Sequence, residues 1–391
     1  MQYSDFIKRV FTSFFVRFLG SVCGFLTIVI TAKMLGPEGR GEIALFSNIL
    51  TLILSFTSTF YSSFSYLIGS LKYKLEDVFN LTIILTIIFL IFLLIIFKFI
   101  SYPYFHLILI TFIFANIVNY GEGIGYGIDD FKLVNIVRNL PSILTFLFMF
   151  LILSFKKDVQ TAMFSYLTSF FIIFLYMIFR FHKFIKFNVN FKILKIFLKH
   201  GIFVALSTTT TFLLYRIDFF LIEKFYSKDI LGIYSVALSL GEINFIILSF
   251  IISATAGKFF STEGKNILKQ SIFLLLIIEI ISIFLFLIFG KNLINLLFSV
   301  EFQTAYLPSV IILISTAIYN PSSVIAVYIN LKIGKTYIPF IISLISLIIK
   351  SILAFFLIKE FSIIGASISS LIAYTLTFSI YVFVYFKLIK N

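Results

Sequence analysis

Charged residues lie inside long apolar stretches of this chain, where a charge is costly and therefore informative. The main ones are Arg17, Arg216, Asp218 and Glu242. Insertion scales put the cost of a charge at the centre of a membrane helix at roughly 2.5–3.5 kcal/mol, so we expect each to serve a partner or a ligand. A guanidinium group stays charged when partly desolvated and can bind two phosphate oxygens at once. The arginines therefore offer anion binding, and the carboxylates offer binding of a proton or a cation.

Arg17 belongs to a stripe of small and polar residues in the first apolar stretch. The members of the stripe are Ser13, Arg17, Gly20, Gly24, Thr27 and Thr31. Their intervals of three and four place them on one face of a helix. Two interpretations remain open. The stripe packs closely against another helix while Arg17 extends to the membrane surface, or it lines a cavity with Arg17 facing a ligand.

Arg216 and Asp218 are two residues apart, so they point about 200° from each other around a helix and cannot share a face. Arg216 either contacts a ligand or forms an internal ion pair. Glu279 and Lys350 also lie deep in apolar stretches, and we expect them to pair with each other as a structural contact rather than a site.

The composition of the chain indicates which type of secondary structure carries these charged residues. The chain has 391 residues, 12% of them charged, and a mean hydropathy of +1.12. These values exclude a soluble protein. Apolar stretches such as residues 81–97 and 272–289 do not alternate with polar residues, which favours helices over barrel strands. The sequence predicts an all-α polytopic membrane protein.

A window of about 19 residues predicts about twelve spans. They cover residues 10–33, 42–70, 79–101, 103–127, 139–155, 160–180, 200–222, 231–257, 269–290, 303–331, 336–357 and 362–386. Of the 31 basic residues, 19 then fall in inner segments and 9 in outer loops. This bias predicts that both termini are cytoplasmic. It also explains the net charge of +14 through anionic lipids, without nucleic acid.

The chain divides near its middle. Residues 181–200, "FHKFIKFNVNFKILKIFLKH", have the spacing of an amphipathic helix lying on the inner surface. The predicted domains are therefore residues 1–190, a six-helix lobe with this connecting segment, and residues 191–391, a second six-helix lobe. The segment "GRGEIALFSNI" (39–49) corresponds to "DILGIYSVALSLGEI" (229–243), with Gly41 aligned to Gly232, which indicates a repeat.

The segments "KMLGPEGRGEIALF" (33–46) and "LGIYSVALSL" (231–240) resemble the polysaccharide flippases, of the O-antigen or Wzx type, of the multidrug/oligosaccharidyl-lipid/polysaccharide exporter superfamily. The resemblance implies two six-helix lobes around a central cavity lined by spans one, two, seven and eight. It implies that an undecaprenyl-diphosphate-linked oligosaccharide, an O-antigen or capsule repeat unit, is flipped across the bacterial inner membrane by alternating access. It implies no cofactor, and its partners would be the lipid-linked substrate, membrane lipids, a polysaccharide polymerase and a chain-length regulator.

Under this resemblance the candidate residues acquire roles. Arg17 and Arg216 would compensate the diphosphate, and Arg40 is a further basic candidate in the first turn. Asn48 in span two and Ser239 in span eight would contact the substrate, and Glu242 and Asp218 would bind a coupling ion. Pro37 and the three glycines at 36, 39 and 41 predict a tight outer turn whose charges are solvated.

The sequence features also bear on two other functions. A drug exporter of the same superfamily would favour an acidic cavity, whereas spans one and seven carry arginine. A membrane glycosyltransferase or polymerase would need a sizeable outer loop with catalytic residues, and the longest here have about a dozen residues. No nucleotide-binding loop motif is present, and three widely spaced histidines predict no metal site. The sequence therefore predicts a transporter and no enzyme.

Overall fold

The computed structural model describes residues 2–97, 102–185, 191–255, 258–259, 263–335 and 337–390, and within these ranges the chain contains no β-strand. Its α-helices are α1 Gln2–Thr57, α2 Tyr61–Gly69, α3 Leu75–Phe97, α4 Phe105–Gly127, α5 Phe131–Phe155, α6 Val159–Phe181, α7 Phe191–Phe225, α8 Lys228–Gly241, α9 Asn244–Thr255, α10 Gly264–Leu297, α11 Tyr306–Tyr328 and α12 Tyr337–Lys390. Short 3-10 or π segments connect several of them.

Two of these helices contain a sharp break. In α1 the break is at Gly36, with φ 69° and ψ −173°. Glycine adopts a positive φ without strain, and Pro37 favours an extended ψ in the residue before it while starting the next helical turn itself. In α12 the break is at Ser362, with φ 50° and ψ −131°. Each helix is therefore two helices joined by one residue.

These breaks explain how the span count is reached. Ten helical stretches of the described residues are long and apolar enough to cross a membrane, including residues 12–69 and 337–388, of 58 and 52 residues. One crossing takes about 20 residues, so each of these two stretches is long enough to cross twice. The helices of the described residues are therefore long enough for twelve crossings. The predicted all-α membrane fold is confirmed.

The connection in the middle of the chain differs from the expectation. Residues 186–190 lie outside the described residues, but residues 191–200 are the first turns of the continuous helix α7 and not part of a separate surface helix. Phe197 is buried and its ring lies 5.1 Å from that of Phe60, centroid to centroid. The apolar face that predicted a membrane-surface helix is instead buried in the protein.

The described chain forms two compact units. The first unit comprises residues 1–34 and 45–209, and the second comprises residues 35–44 and 210–391. The change of unit at Thr209–Thr210 falls inside α7. The short segment 35–44 packs with the second unit although its sequence neighbours belong to the first. The division at residues 190–191 as a boundary between functional lobes stays a prediction.

Each unit has its own apolar core. In the first unit, the aromatic residues Phe60, Phe64, Phe79 and Tyr120 are completely or almost completely buried. In the second unit, α11 packs against α8, α10 and α12. Helix α10 is mostly exposed, with Phe273 and Ile280 about two-thirds accessible. Large exposed apolar surface of this kind marks a surface that lipid covers.

Candidate functional site

The turn around Pro37 is buried rather than solvated. Arg40 is 6% exposed, and its Nε donates a hydrogen bond of 2.9 Å to the hydroxyl of Ser235 on α8. Glu42 lies 3.9 Å from the ammonium group of Lys228. The expectation of a turn with solvated charges is therefore wrong for Arg40, because the segment packs onto the start of α8. The role of Arg40 in substrate binding stays a prediction.

Arg216 and Glu242 form an ion pair within the second unit. The two terminal nitrogens of Arg216 on α7 donate to the two carboxylate oxygens of Glu242, at 2.5 and 2.6 Å. Helix α8 ends at Gly241 and helix α9 begins at Asn244. Glu242 lies in the short connection between these two helices. The side chains are 22% and 12% exposed, so the pair is only partly buried.

Asp218 and Lys350 form a second pair, and both side chains are completely buried. The carboxylate of Asp218 lies 3.0 Å from the ammonium group and also accepts hydrogen bonds from the hydroxyls of Tyr234 and Ser370, at 2.6 and 3.0 Å. Lys350 donates to the carbonyl of Leu214 at 2.8 Å. A fully buried charge must be paired and hydrogen-bonded to be tolerated, and here both are.

These two pairs settle how the charges of span seven are arranged. Arg216 contacts Glu242 just after the end of α8, whereas Asp218 contacts Tyr234 within α8 together with Lys350 and Ser370 of α12. The expected pairing of Glu279 with Lys350 is wrong, because Lys350 pairs with Asp218 from α7. The four charges sum to zero, so this group carries no net charge toward an anion. The roles of Arg216 at the substrate and of Asp218 and Glu242 in ion coupling stay predictions.

A third polar group in the second unit surrounds Glu279 on α10. One carboxylate oxygen of Glu279 accepts a hydrogen bond of 2.6 Å from the side-chain amide of Asn320 on α11. Asn244 at the start of α9 donates to the hydroxyl of Ser282 at 2.9 Å. Glu279, Asn320 and Asn244 are all essentially inaccessible.

In the first unit, Arg17 lies among charged and phenolic side chains. Glu122 and Tyr126 of α4 and Arg138 of α5 are within electrostatic range of it. Arg138 lies 3.3 Å from the carboxylate of Glu122 and donates to the hydroxyl of Tyr126 at 3.4 Å. We call Arg17, Glu122, Tyr126 and Arg138 the first-unit arginine group. It holds two cations and one carboxylate.

The small and polar stripe of α1 packs against α5. A side-chain carbon added at Gly20 would lie 3.3 Å from the Cβ of Asn139, and Asn135 donates to the hydroxyl of Ser13 at 3.1 Å. Thr27 and Thr31 donate to carbonyls of their own helix. Close helix packing therefore accounts for much of the stripe, and Arg17 as a diphosphate ligand stays a prediction.

The two remaining candidates are half-buried. Asn48 lies on the second part of α1, in the first unit. Ser239 lies on α8 in the second unit, where its hydroxyl donates to the carbonyl of Val236 at 2.8 Å. That Asn48 and Ser239 contact the substrate stays a prediction.

The chain is similar in sequence and in structure to several known proteins. No family model matches the chain. A capsular polysaccharide biosynthesis protein, CapF, of Staphylococcus aureus is 26% identical over 385 residues, which cover 93% of this chain and 95% of that protein. A structure of the lipid II flippase MurJ in an inward closed conformation superposes with a TM-score of 0.75 at 16% identity, covering 95% of this chain and 87% of that one. A multidrug resistance MATE family transporter of the MOP superfamily, in its inward-facing conformation, superposes with a TM-score of 0.71 at 15% identity, covering 95% and 96%.

The chain has the fold of the MOP superfamily. The fold that the resemblance of the two short motifs implied is therefore confirmed. The proteins with this fold that superpose on the chain are described as transporters and a flippase, and the chain is a multi-pass membrane protein of the same fold.

Within this MOP fold, several residues of the polar groups described above are not among the candidates that the sequence predicted. Arg138 was placed in an inner loop because the fifth span was expected to begin at residue 139, whereas α5 begins at Phe131. Glu122 and Asn320 lay in predicted spans and were passed over as candidates. A polar side chain within an apolar span was a sufficient reason to consider each of them.

Proposed function

We propose that the protein flips an undecaprenyl-diphosphate-linked oligosaccharide, a capsule or O-antigen repeat unit, from the cytoplasmic to the periplasmic leaflet of the bacterial inner membrane by alternating access. Two comparisons support the proposal. The relative from Staphylococcus aureus is named for capsular polysaccharide biosynthesis, and the MOP fold includes a flippase of lipid II.

The observation that carries the proposal is the charge of the first-unit arginine group. Among the four residues of this group, the two guanidinium groups of Arg17 and Arg138 outnumber the one carboxylate, that of Glu122, inside membrane-length helices. A cationic excess in this setting suits an anionic ligand. Guanidinium groups bind phosphate oxygens through short, charge-assisted hydrogen bonds. Arg17 and Arg138 would hold the diphosphate near the predicted cytoplasmic ends of α1 and α5, where the substrate is loaded.

The rest of the substrate places fewer demands on the protein. The lipid tail would remain in the bilayer, whose lipids cover the exposed apolar surface of helices such as α10. A polysaccharide polymerase and a chain-length regulator would act on the exported glycan and are the partners we expect. No step of the proposed transport requires a cofactor.

Export of cationic drugs is the competing function. A cationic drug would require a carboxylate that is available to bind it. In the second unit, the carboxylates of Asp218 and Glu242 are each paired with a basic residue at 3.0 Å or less, and that of Glu279 is 1% exposed. The pairing of the first two and the burial of the third favour the anionic substrate.

Complementation of a strain that lacks its own flippase tests the proposal, with surface glycan measured relative to the amount of protein in the membrane. A lost charge-assisted hydrogen bond typically costs about 1.5–3 kcal/mol, so Arg17→Ala should lower transport by about 10- to 100-fold. Arg17→Lys should retain part of the activity because the charge remains. Lys195→Ala, which removes an exposed cation of the first unit, is the matched control and should transport normally.

Purified protein in liposomes that contain the lipid-linked glycan separates the two functions. Wild-type protein should expose the glycan to an enzyme added outside, and it should not export a cationic dye. Normal glycan at normal abundance in the Arg17→Ala strain would remove Arg17 from the site, and dye export without glycan flipping would overturn the proposed function.

A further inference from the structure

Glu279 lies on the narrow face of α10 that contacts protein. The buried members of α10 around it are Leu268, Ser271, Leu275, Gly290 and Ile294, at helical intervals, and most other side chains of α10 are exposed or half-buried. Glu279 is 1% exposed. The carboxylate is therefore directed into the second unit and not toward lipid or water.

Hydrogen-bond acceptors outnumber donors around this carboxylate. Asn320 donates to one oxygen of Glu279, and Ser282 donates to the main-chain carbonyl of Glu279. The second carboxylate oxygen of Glu279 and the amide oxygens of Asn320 and Asn244 have no hydrogen-bond partner among the described residues. An unsatisfied buried polar atom costs about 1–3 kcal/mol, and three together call for an explanation.

Glu279 also differs from the other carboxylates deep in the spans. Asp218, Glu242 and Glu122 each form an ion pair, and no ion pair joins Glu279 to a basic residue within the described ranges. The nearest lysines along α10 are Lys269 and Lys291, about 15 and 18 Å away by helical rise.

Among the described residues, the elements packed against α10 supply no cation to this carboxylate. Helices α9 and α11 contain no Asp, Glu, Lys, Arg or His, and their titratable side chains are the tyrosines at 306, 319 and 328 of α11. The 3-10 segment Val300–Ala305 adds Glu301, which is exposed. Glu242 lies two residues before the start of α9, but it forms an ion pair with Arg216, so the two charges neutralise each other.

We propose that Glu279 is a proton-binding site of this protein, completed by Asn320 and Asn244. One proton taken from water adds to the second carboxylate oxygen, forms an O–H bond and neutralises the group. That oxygen then changes from an acceptor to a donor, and the amide oxygens of Asn320 and Asn244 are acceptors that still lack a donor among the described residues. The same proton removes the uncompensated buried charge and improves the hydrogen-bond balance. The use of this proton to drive export rests on the proposed function, whereas proton binding itself does not.

Infrared difference spectra of the purified protein in liposomes, recorded during a pH titration in potassium and in sodium buffers, test the proposal directly. The wild type should show the carbonyl band of a protonated carboxyl group, which shifts in heavy water and changes with pH equally in both salts. Glu279→Gln should lack this band, and Glu301→Gln, which removes an exposed carboxylate, should keep it. A band that survives in Glu279→Gln, or none in the wild type at any pH, would overturn the proposal. Loss of the band on adding sodium at constant pH would point to a metal cation and also refute it.

A second variant keeps the test decisive if Glu279→Gln is poorly folded. Asn320→Leu removes the donor to Glu279 and should shift the frequency of the same band, whereas an unshifted band would place the proton elsewhere. Transport is measured separately. Glu279→Gln that flips glycan without dependence on the proton gradient would support the coupling role, and absence of flipping in the wild type would count against the proposed function and not against the proton site.

Discussion

Gly41 and Gly232 lie backbone against backbone in the second unit. A side-chain carbon placed on Gly41 would be 2.0 Å from the carbonyl oxygen of Lys228, and one placed on Gly232 would be 1.8 Å from that of Pro37. Both distances are far below van der Waals contact. The two glycines aligned as equivalent positions of a sequence repeat are therefore partners in one contact, and each is needed because the other backbone occupies the space of its side chain.

Gly232→Ala should destabilise the second unit. The added methyl group meets a main-chain carbonyl, which cannot move aside as a flexible side chain can, so we expect a cost of about 1–3 kcal/mol or more. The amount of folded protein in the membrane and its thermal stability in detergent measure the effect. Gly24→Ala is the matched control, because nothing lies within 4 Å of the added carbon. Equal stability of the two variants would contradict the close contact.

The pair Arg216–Glu242 predicts coupled effects. Arg216→Ala leaves the carboxylate of Glu242 without its cation and should lower the free energy of unfolding by at most about 3 kcal/mol, since the pair is partly exposed. Removing both side chains should cost less than the sum of the single changes. A double-mutant cycle on membrane abundance and thermal stability measures this. Additive effects, with transport lost in Arg216→Ala at normal stability, would instead assign Arg216 to the substrate.

The pair Asp218–Lys350 is fully buried and should be less tolerant. Lys350→Met leaves the negative charge of Asp218 uncompensated, which typically costs about 3–5 kcal/mol. The double change Lys350→Met with Asp218→Asn removes both charges, and Asn can still bond the hydroxyls of Tyr234 and Ser370, so much of the stability should return. Thermal unfolding in detergent compares the three variants. A double variant as unstable as Lys350→Met would contradict the pairing.

The topology gives a prediction that needs no transport assay. Twelve crossings and the distribution of basic residues place Lys74 and Lys265 on the cytoplasmic side and Lys157 and Lys228 on the periplasmic side. Reporter fusions truncated at these positions should show that pattern. A periplasmic result at Lys265 would require a different number of crossings before α10.

The sequence by itself determined the membrane class and the helical fold. Apolar length decides these, because a span must cover the bilayer and satisfy its own backbone. The break in α1 was also foreseen, since Gly36 followed by Pro37 favours a turn locally. The break at Ser362 matches a predicted span boundary, but its left-handed backbone conformation had no comparable local sign.

Only the tertiary structure decided which charges meet. Helix geometry alone shows that Arg216 and Asp218 point to different sides of their helix. It does not identify the partner of Arg216, because Glu242 is 26 residues away on another element. Lys350 was expected to pair with Glu279 and instead reaches Asp218 across 132 residues, which leaves Glu279 with Asn320. Periodicity fixes the rotation of a residue on its own helix. The partner depends on which helices pack together and at what height, and the packing of distant segments sets both.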